Sequence, residues 1–473
     1  MGKSFLCSVA LTAAMLAALP SRAVATTYEV GPGKTYANVG DVPLEALTAG
    51  DTVLIYYRAT PYKEKFVLAA VGTPSAPVTI RGVLGPNGER PILDGNGATT
   101  RAQLNYPSRV RGVIKIGASV VPFADGTSVM PQWIVIENLE IRGAHNPNTF
   151  TGPTGATETY TAPASAIYVE FGENITVRNC NMNNNGNGFF VFSSDTIASR
   201  NILVEASDIH DNGNVGSNFE HNVYVEAIGI TFQYNHLGTL LPGAGGNNLK
   251  DRSAGLVVRY NWIEHSNRQL DLVHAEDSAL VRADPRYRAT HVYGNVIIEH
   301  PNSGNNDICF YGGDGGSAQR FRKGTLYFYN NTIISDRTDN TRLFRMATND
   351  ESIDARNNIA YVTAAASNLQ VLDNYGRLTL TQNWFKTGWT PFVTSHPKGS
   401  ITNNGTVTGA SPGFVSEAGQ DYHLTAGSQA IDAGTILNPV VLPDNNVVRE
   451  YVKHLTSVPR AVHNALDVGA YEF

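Results

Sequence analysis

Leu256-Val-Val-Arg-Tyr-Asn261-Trp-Ile263, Leu326-Tyr-Phe-Tyr-Asn-Asn331-Thr-Ile333 and Ile353-Asp-Ala-Arg-Asn-Asn358-Ile-Ala360 obey one rule: apolar, any, apolar, two of any type, Asn, any, apolar. Further copies lie at 230–237, 290–297 and 378–385. Weaker ones at 134–141, 175–182 and 202–209 carry Leu139, Cys180 and Ser207 in place of Asn. Most gaps between successive key positions are 25 to 28 residues, the length of one solenoid coil. Each copy reads as a strand with alternating apolar residues, a tight bend at Asn, which tolerates left-handed backbone, and a second short strand. One unit cannot bury its apolar face alone, so the units must stack. Asn residues at one bend then form a ladder of side-chain amides. The expected fold is all-β: a single-stranded right-handed parallel β-helix with coils about 4.8 Å apart. A sandwich or propeller would not repeat one bend signature at this period.

The composition agrees with short strands joined by turns. Of 473 residues, 45 are Gly and 23 Pro, and only 16% are charged. With 35 Lys+Arg against 41 Asp+Glu, the chain is not a basic nucleic-acid binder. Lys3, an apolar run from Phe5 to Leu19 and Ala23-Val24-Ala25 read as a signal peptide over 1–25, cleaved after Ala25. The mature chain is expected to be secreted or periplasmic, with no membrane span. Loss of Lys3 and Arg22 takes the formal charge from -6 to -8, so an anionic ligand needs a local basic patch. Only Cys180 and Cys309 remain after the leader, too few for a disulfide framework. CxxC, HExxH, GxxxxGK[ST] and GxSxG patterns are absent, which removes the usual support for zinc, nucleotide and serine-hydrolase chemistry.

The mature chain, 26–473, reads as one domain: opening coils over about 26–98, central coils over 131–390 and a closing segment over 391–473. Tyr28-Glu-Val-Gly-Pro-Gly-Lys-Thr-Tyr36 and Pro91-Ile-Leu-Asp-Gly95 resemble the opening coils of bacterial secreted β-helix proteins. Ser428-Gln-Ala-Ile-Asp-Ala-Gly434 and Asp467-Val-Gly-Ala-Tyr-Glu472 resemble their closing motif. Polar stretches 99–130 and 144–165 are long enough to stand off the coils as loops.

Chemistry concentrates in three consecutive coils, which contain Phe219-Glu-His-Asn-Val-Tyr-Val-Glu226, Gly246-Asn-Asn-Leu-Lys-Asp-Arg252 and Asn267-Arg-Gln-Leu-Asp-Leu-Val-His274. Tyr224 and Lys250 each precede the next repeat Asn by 11 positions, so they should stack. Apolar alternation adds Asp271 to that outward column, with Glu226 and Arg252 beside it and His221, Asn222, Asn248, Arg268 and His274 bordering it. Residues 250–356 hold 14 basic and 14 acidic residues, a less acidic region than the rest, which suits an anionic glycan.

The expected fold with such a strip resembles the parallel β-helix polysaccharide lyases, which cleave uronic-acid polymers by β-elimination. Within them, Arg252-Ser-Ala-Gly-Leu-Val-Val-Arg-Tyr-Asn261 and Leu270-Asp-Leu-Val-His274 resemble segments of the chondroitinase B and alginate lyase type. The departures are specific: that type's base Lys falls on Arg252, its acid Arg on Val273, and its calcium-binding acidic pair on Asn247 and Asn248. The resemblance implies an acidic polysaccharide substrate and a single-chain enzyme. β-Elimination needs a clamp for the uronate carboxylate, a base for the C5 proton and an acid for the leaving oxygen. Lys250 is the preferred base, its pKa lowered by like-charged Arg252; Arg252 is the clamp, Tyr224 the acid and His221 a rival base. Arg268, Asn222, Asn248, Asp271, His274 and Glu226 are the substrate-binding candidates. No metal site is assigned, although calcium held by Glu226, Asp271, Glu276 or Asp277 remains open. His210, His265 and His300 follow bends and are read as structural. The alternatives are a noncatalytic carbohydrate-binding or surface solenoid, a β-helix glycoside hydrolase and a C5-epimerase, of whose Asp-Pro-His-Asp element Asp284-Pro285-Arg286 is a partial echo.

Overall fold

The Asn235 amide Nδ2 donates to Asn261 Oδ1 (3.0 Å), Asn261 to Asn295 (3.0 Å), Asn295 to Asn331 (2.9 Å), Asn331 to Asn358 (2.9 Å) and Asn358 to Asn383 (2.9 Å). All six side chains are buried. The ladder continues upstream with hydroxyl for amide: Ser207 N donates to Asn235 Oδ1 and Cys180 N to Ser207 Oγ. This is a computed structural model, which describes residues 2, 25–117, 130–301, 303–365 and 367–473. The proposed leader lies almost wholly outside the described residues.

The chain forms a parallel β-helix. Three long sheets of 13, 14 and 11 strands run along it, each strand pairing with its equivalent in the next coil. One coil passes through Val223–Val225, Ile228–Gln233 and His236–Leu237, and the next through Leu249–Asp251, Ala254–Arg259 and Trp262–Glu264. Ile230 faces Leu256 and Phe232 faces Val258 in register, so the inward positions of successive coils build one continuous apolar core. The positions between them, Thr231 and Val257, face outward and are half-buried. Among the described residues no helix is long and apolar enough to cross a membrane.

The left-handed bend residue is not the ladder Asn but the one before it. Tyr234, Tyr260, Asn330, Asn357 and Gln382 have φ between 48° and 60°, whereas the buried Asn turns its amide inward to satisfy backbone carbonyls. At Gly294, φ +66°, a Cβ would lie 2.6 Å from the Tyr260 ring, so glycine here permits both the bend and the packed tyrosine.

The stretches read as free-standing loops are partly built into the solenoid. Gly112–Ile116 is a strand of the 14-stranded sheet, and Thr149–Thr151 pairs antiparallel with Thr157–Thr159 at that sheet's end. Residues 118–129 lie outside the described residues. At the C-terminus, parallel pairing extends to Val407–Gly409, after which two antiparallel hairpins pack Phe414, Tyr422 and Tyr451 against Trp262 and Trp384 on the 11-stranded sheet.

Candidate functional site

Strand register places Tyr224 against Lys250, Lys250 against Asp271, Asp271 against Phe310, and Phe310 against Arg345. The flanking Val223, Val225, Leu249, Leu270 and Leu272 are buried in the core, so the column faces outward, as the sequence alternation requires. Tyr224, Lys250 and Asp271 are thus neighbours on one face.

Lys250 Nζ donates to Asp271 Oδ2 (2.8 Å) and to Asp314 Oδ2 (2.6 Å), with 12% of the side chain exposed. Arg252 reaches the same group: Nη1 and Nη2 donate to Asp314 Oδ1 (3.3 Å) and Oδ2 (3.1 Å), Nη1 to the His274 carbonyl (2.6 Å) and Nε to the Tyr224 hydroxyl (3.0 Å). Glu276 Oε2 lies 3.1 Å from Arg252 Nη2. Two cations from adjacent positions therefore converge on one carboxylate, with a phenol beside them.

Asp314 sits in Gly312-Gly313-Asp314-Gly315-Gly316, a turn that belongs to no repeat. The turn is anchored where Gly312 N donates to Leu272 O and where Arg322 N returns to Gly312 O. Arg322, fully buried, donates to the Asp251 carboxylate and to the Val273 and Ser253 carbonyls, fixing the bends under Lys250 and Arg252.

These contacts set the protonation states. Burial disfavours the Lys250 ammonium, but Asp271 and Asp314 outweigh burial and Arg252 together, so its pKa lies above the ordinary value. This overturns the expectation that Arg252 brings Lys250 down toward neutrality: two carboxylates hold the proton on. Burial pushes Asp314 up, yet Lys250 and Arg252 hold it down to about 2. Burial also raises the Tyr224 phenol, against Arg252, so it stays protonated. Its oxygen accepts from Arg252, which leaves its own proton to donate.

Of the other sequence candidates, Arg268 borders the strip, 3.6 Å from Asp271 Oδ1 and over the Phe310 ring at 5.2 Å. His274 Nδ1 is buried without a hydrogen bond, 3.4 Å from Asp314 Oδ1, and burial followed by Arg252 lowers its pKa. His221 is buried, and burial drives its pKa well down; its Nδ1 lone pair accepts the Asn247 N–H at 2.9 Å. A proton acceptor at that nitrogen is thus already engaged.

Three candidates do not border the strip. Asn222 and Asn248 are fully buried in a second amide ladder, Asn212 to Asn222 (3.0 Å), Asn222 to Asn248 (2.7 Å) and Asn248 to Gln269 (2.8 Å). Glu226 is turned under the strip, where its carboxylate accepts from Ser278 N (2.8 Å) and Asp277 N (3.3 Å) and anchors the following segment. Glu226, Asp271, Glu276 and Asp277 do not converge as a calcium cage among the described residues. Sequence reasoning missed Asp314, Phe310 and Arg345. Phe310 and Arg345 carried a usable signal, because they hold the same outward position in the next two coils.

No family model and no curated protein matches the chain. Among solved structures it aligns with pectate lyase Pel9A at 12% identity over 95% of this chain and 97% of that one, with a TM-score of 0.49. An alginate lyase from Paenibacillus sp. str. FPU-7 aligns at 14% identity over 77% and 95% of the two chains, with a TM-score of 0.41. A lacto-N-biosidase from Eubacterium ramulus aligns at 10% identity over 81% and 68%, with a TM-score of 0.36. Two lyases and a biosidase differ in activity, so no reaction passes to this chain from the likeness.

Proposed function

We propose that this protein is an exported polysaccharide lyase that cleaves a uronic-acid-containing polymer by β-elimination. The observation that carries the reading is the convergence of Lys250 and Arg252 on one carboxylate, Asp314, beside a phenol whose proton is available. A pair of cations arranged around a carboxylate is what a uronate needs when charge develops on it as the C5 proton leaves. Arg252, always charged, is the clamp. Tyr224 donates to the departing glycosidic oxygen.

Lys250 is the proposed base and takes the C5 proton in its neutral form, which Asp271 and the carboxylate lying between it and Arg252 both disfavour. The open face continues to Arg268 and Arg345, which extend positive charge along the path of a bound anionic chain. A second assignment of the base rests on His274, whose Nδ1 has no hydrogen bond and whose pKa is lowered. Loss of elimination in Lys250→Ala with retention in His274→Ala supports Lys250; the reverse supports His274. Proton NMR of products from uronate polysaccharides tests the reaction class. Lyase action leaves an olefinic proton on the new terminal sugar, and hydrolysis leaves none.

A further inference from the structure

Away from the Lys250 face, the edge of the 11-stranded sheet gathers His265, His300 and Glu264. Glu264 ends the strand Trp262–Glu264, His265 follows at a left-handed bend (φ 61°), and His300 follows Val296–Glu299 one coil on. One nitrogen of each ring and a Glu264 oxygen lie within 4.8 Å of one another. The two imidazoles stack with centroids 3.4 Å apart and planes 15° from parallel, so their in-plane lone pairs meet at one ion only after the exposed His265 ring turns. Among the described residues, His265 has no hydrogen-bond partner for either ring nitrogen.

The two inner candidate ligands, Glu264 and His300, are supported from behind. His300 Nδ1 lies 3.1 Å from Asp336 Oδ2, so a carboxylate orients the ring and leaves Nε2 toward Glu264. That Nε2 is 3.4 Å from Glu264 Oε2, longer than the roughly 2.7–2.9 Å of a charge-assisted hydrogen bond. Two ligand atoms each about 2.0–2.1 Å from a tetrahedral ion stand about 3.4 Å apart. The other Glu264 oxygen accepts from His236 Nε2 at 3.1 Å, and His236 Nδ1 is held by Asp208 at 2.8 Å. Both the imidazole and the carboxylate thus have a second hydrogen-bonded layer behind them, as metal ligands do. His265 also lines a surface depression with Leu240, Pro242, Asn267 and Pro301, which leaves solvent access for a fourth ligand.

We propose that Glu264, His265 and His300 bind one divalent transition-metal ion of the zinc class, with a solvent-accessible fourth coordination position. The donor set, two imidazoles and one carboxylate, suits such an ion and not calcium, which takes oxygen ligands. The site belongs to a different face from Lys250 and stands independently of the lyase reading.

Tag-free full-length protein, stripped with chelator and titrated calorimetrically with Zn²⁺, tests this. The expected result is one equivalent bound per chain and a raised thermal midpoint, with Co²⁺ giving the visible absorption of a tetrahedral site. Asp336→Asn should weaken Zn²⁺ binding about tenfold by freeing the His300 ring. His300→Ala should abolish stoichiometric binding. So should His265→Asn, whose replacement tolerates the left-handed backbone and preserves the fold. His210→Ala should bind normally. Absence of stoichiometric binding, preference for Ca²⁺ over Zn²⁺, or unchanged binding in His265→Asn would overturn the proposal.

Discussion

The Asp314 carboxylate accepts a 2.6 Å hydrogen bond from Lys250, a contact made across 64 residues from a glycine-rich turn outside the repeat. Asp314 occupies the place between Lys250 and Arg252 that a substrate carboxylate would take. It is therefore the partner that holds these cations in position and, on the lyase reading, the group a uronate would displace.

Asp314→Asn removes an anion that raises the Lys250 pKa, so that pKa should fall. If Lys250 is the base, it must be deprotonated to act, and the ascending limb of the rate–pH profile should move to lower pH by the same amount. A limb that stays in place removes Lys250 from the base role.

Lys250→Ala, Arg252→Ala and Tyr224→Phe should each lower kcat by about 10²–10⁴, the range for a lost acid–base group or charge stabiliser. Circular dichroism should show the β-helix intact in Lys250→Ala and Tyr224→Phe, whose side chains lie on the outer face. Arg252→Ala also strips Asp314 of one partner and should lose some thermal stability.

Asn295→Ala tests the ladder. It deprives the Asn261 main-chain N–H of its acceptor, takes one of three acceptors from the Asn261 side-chain amide and leaves the Asn331 side-chain oxygen without one donor, all in buried surroundings. Urea unfolding should show a loss of about 1–3 kcal/mol, whereas the exposed Asn87→Ala should change stability by less than about 0.5 kcal/mol.

Glu226 predicts a pH dependence of stability. Burial raises its pKa from 4.5 to about 7, reinforced by Asp277 and opposed by the Asp277 and Ser278 N–H groups and by Arg252. A raised folded-state value means the contribution is full below about pH 4.5 and is lost as pH rises through about 7. Glu226→Gln, which cannot ionise, should flatten the fall in stability across that window in denaturant titrations. An unchanged slope would show that burial does not raise the pKa of this carboxyl.

The β-helix was legible because burial imposes a period on the sequence: a unit of one coil must repeat its inward residues and its bend. The same logic fixed the stacking of Tyr224 and Lys250, each 11 residues before the next repeat Asn, and apolar alternation added Asp271 to their column. Polar residues inside the solenoid were harder to read. Asn222 and Asn248 look like surface residues by type, yet a stacked column of amides satisfies its own hydrogen bonds and is stable without water. Asp314 was hidden for a different reason. It lies in a turn between strands, where no periodicity constrains the sequence, and its role depends on tertiary contacts with Lys250 and Arg252. Likewise His265 and His300 read singly as bend residues, because only coil stacking brings their rings together.

The central claim is tested most directly by incubating the mature protein with alginate, pectate, glucuronan, glycosaminoglycans and bacterial exopolysaccharides while following the ultraviolet absorbance of unsaturated uronate. The account predicts a rise with at least one polymer that is lost in both Lys250→Ala and Arg252→Ala. New reducing ends without that absorbance, or a rise that both variants retain, would contradict it.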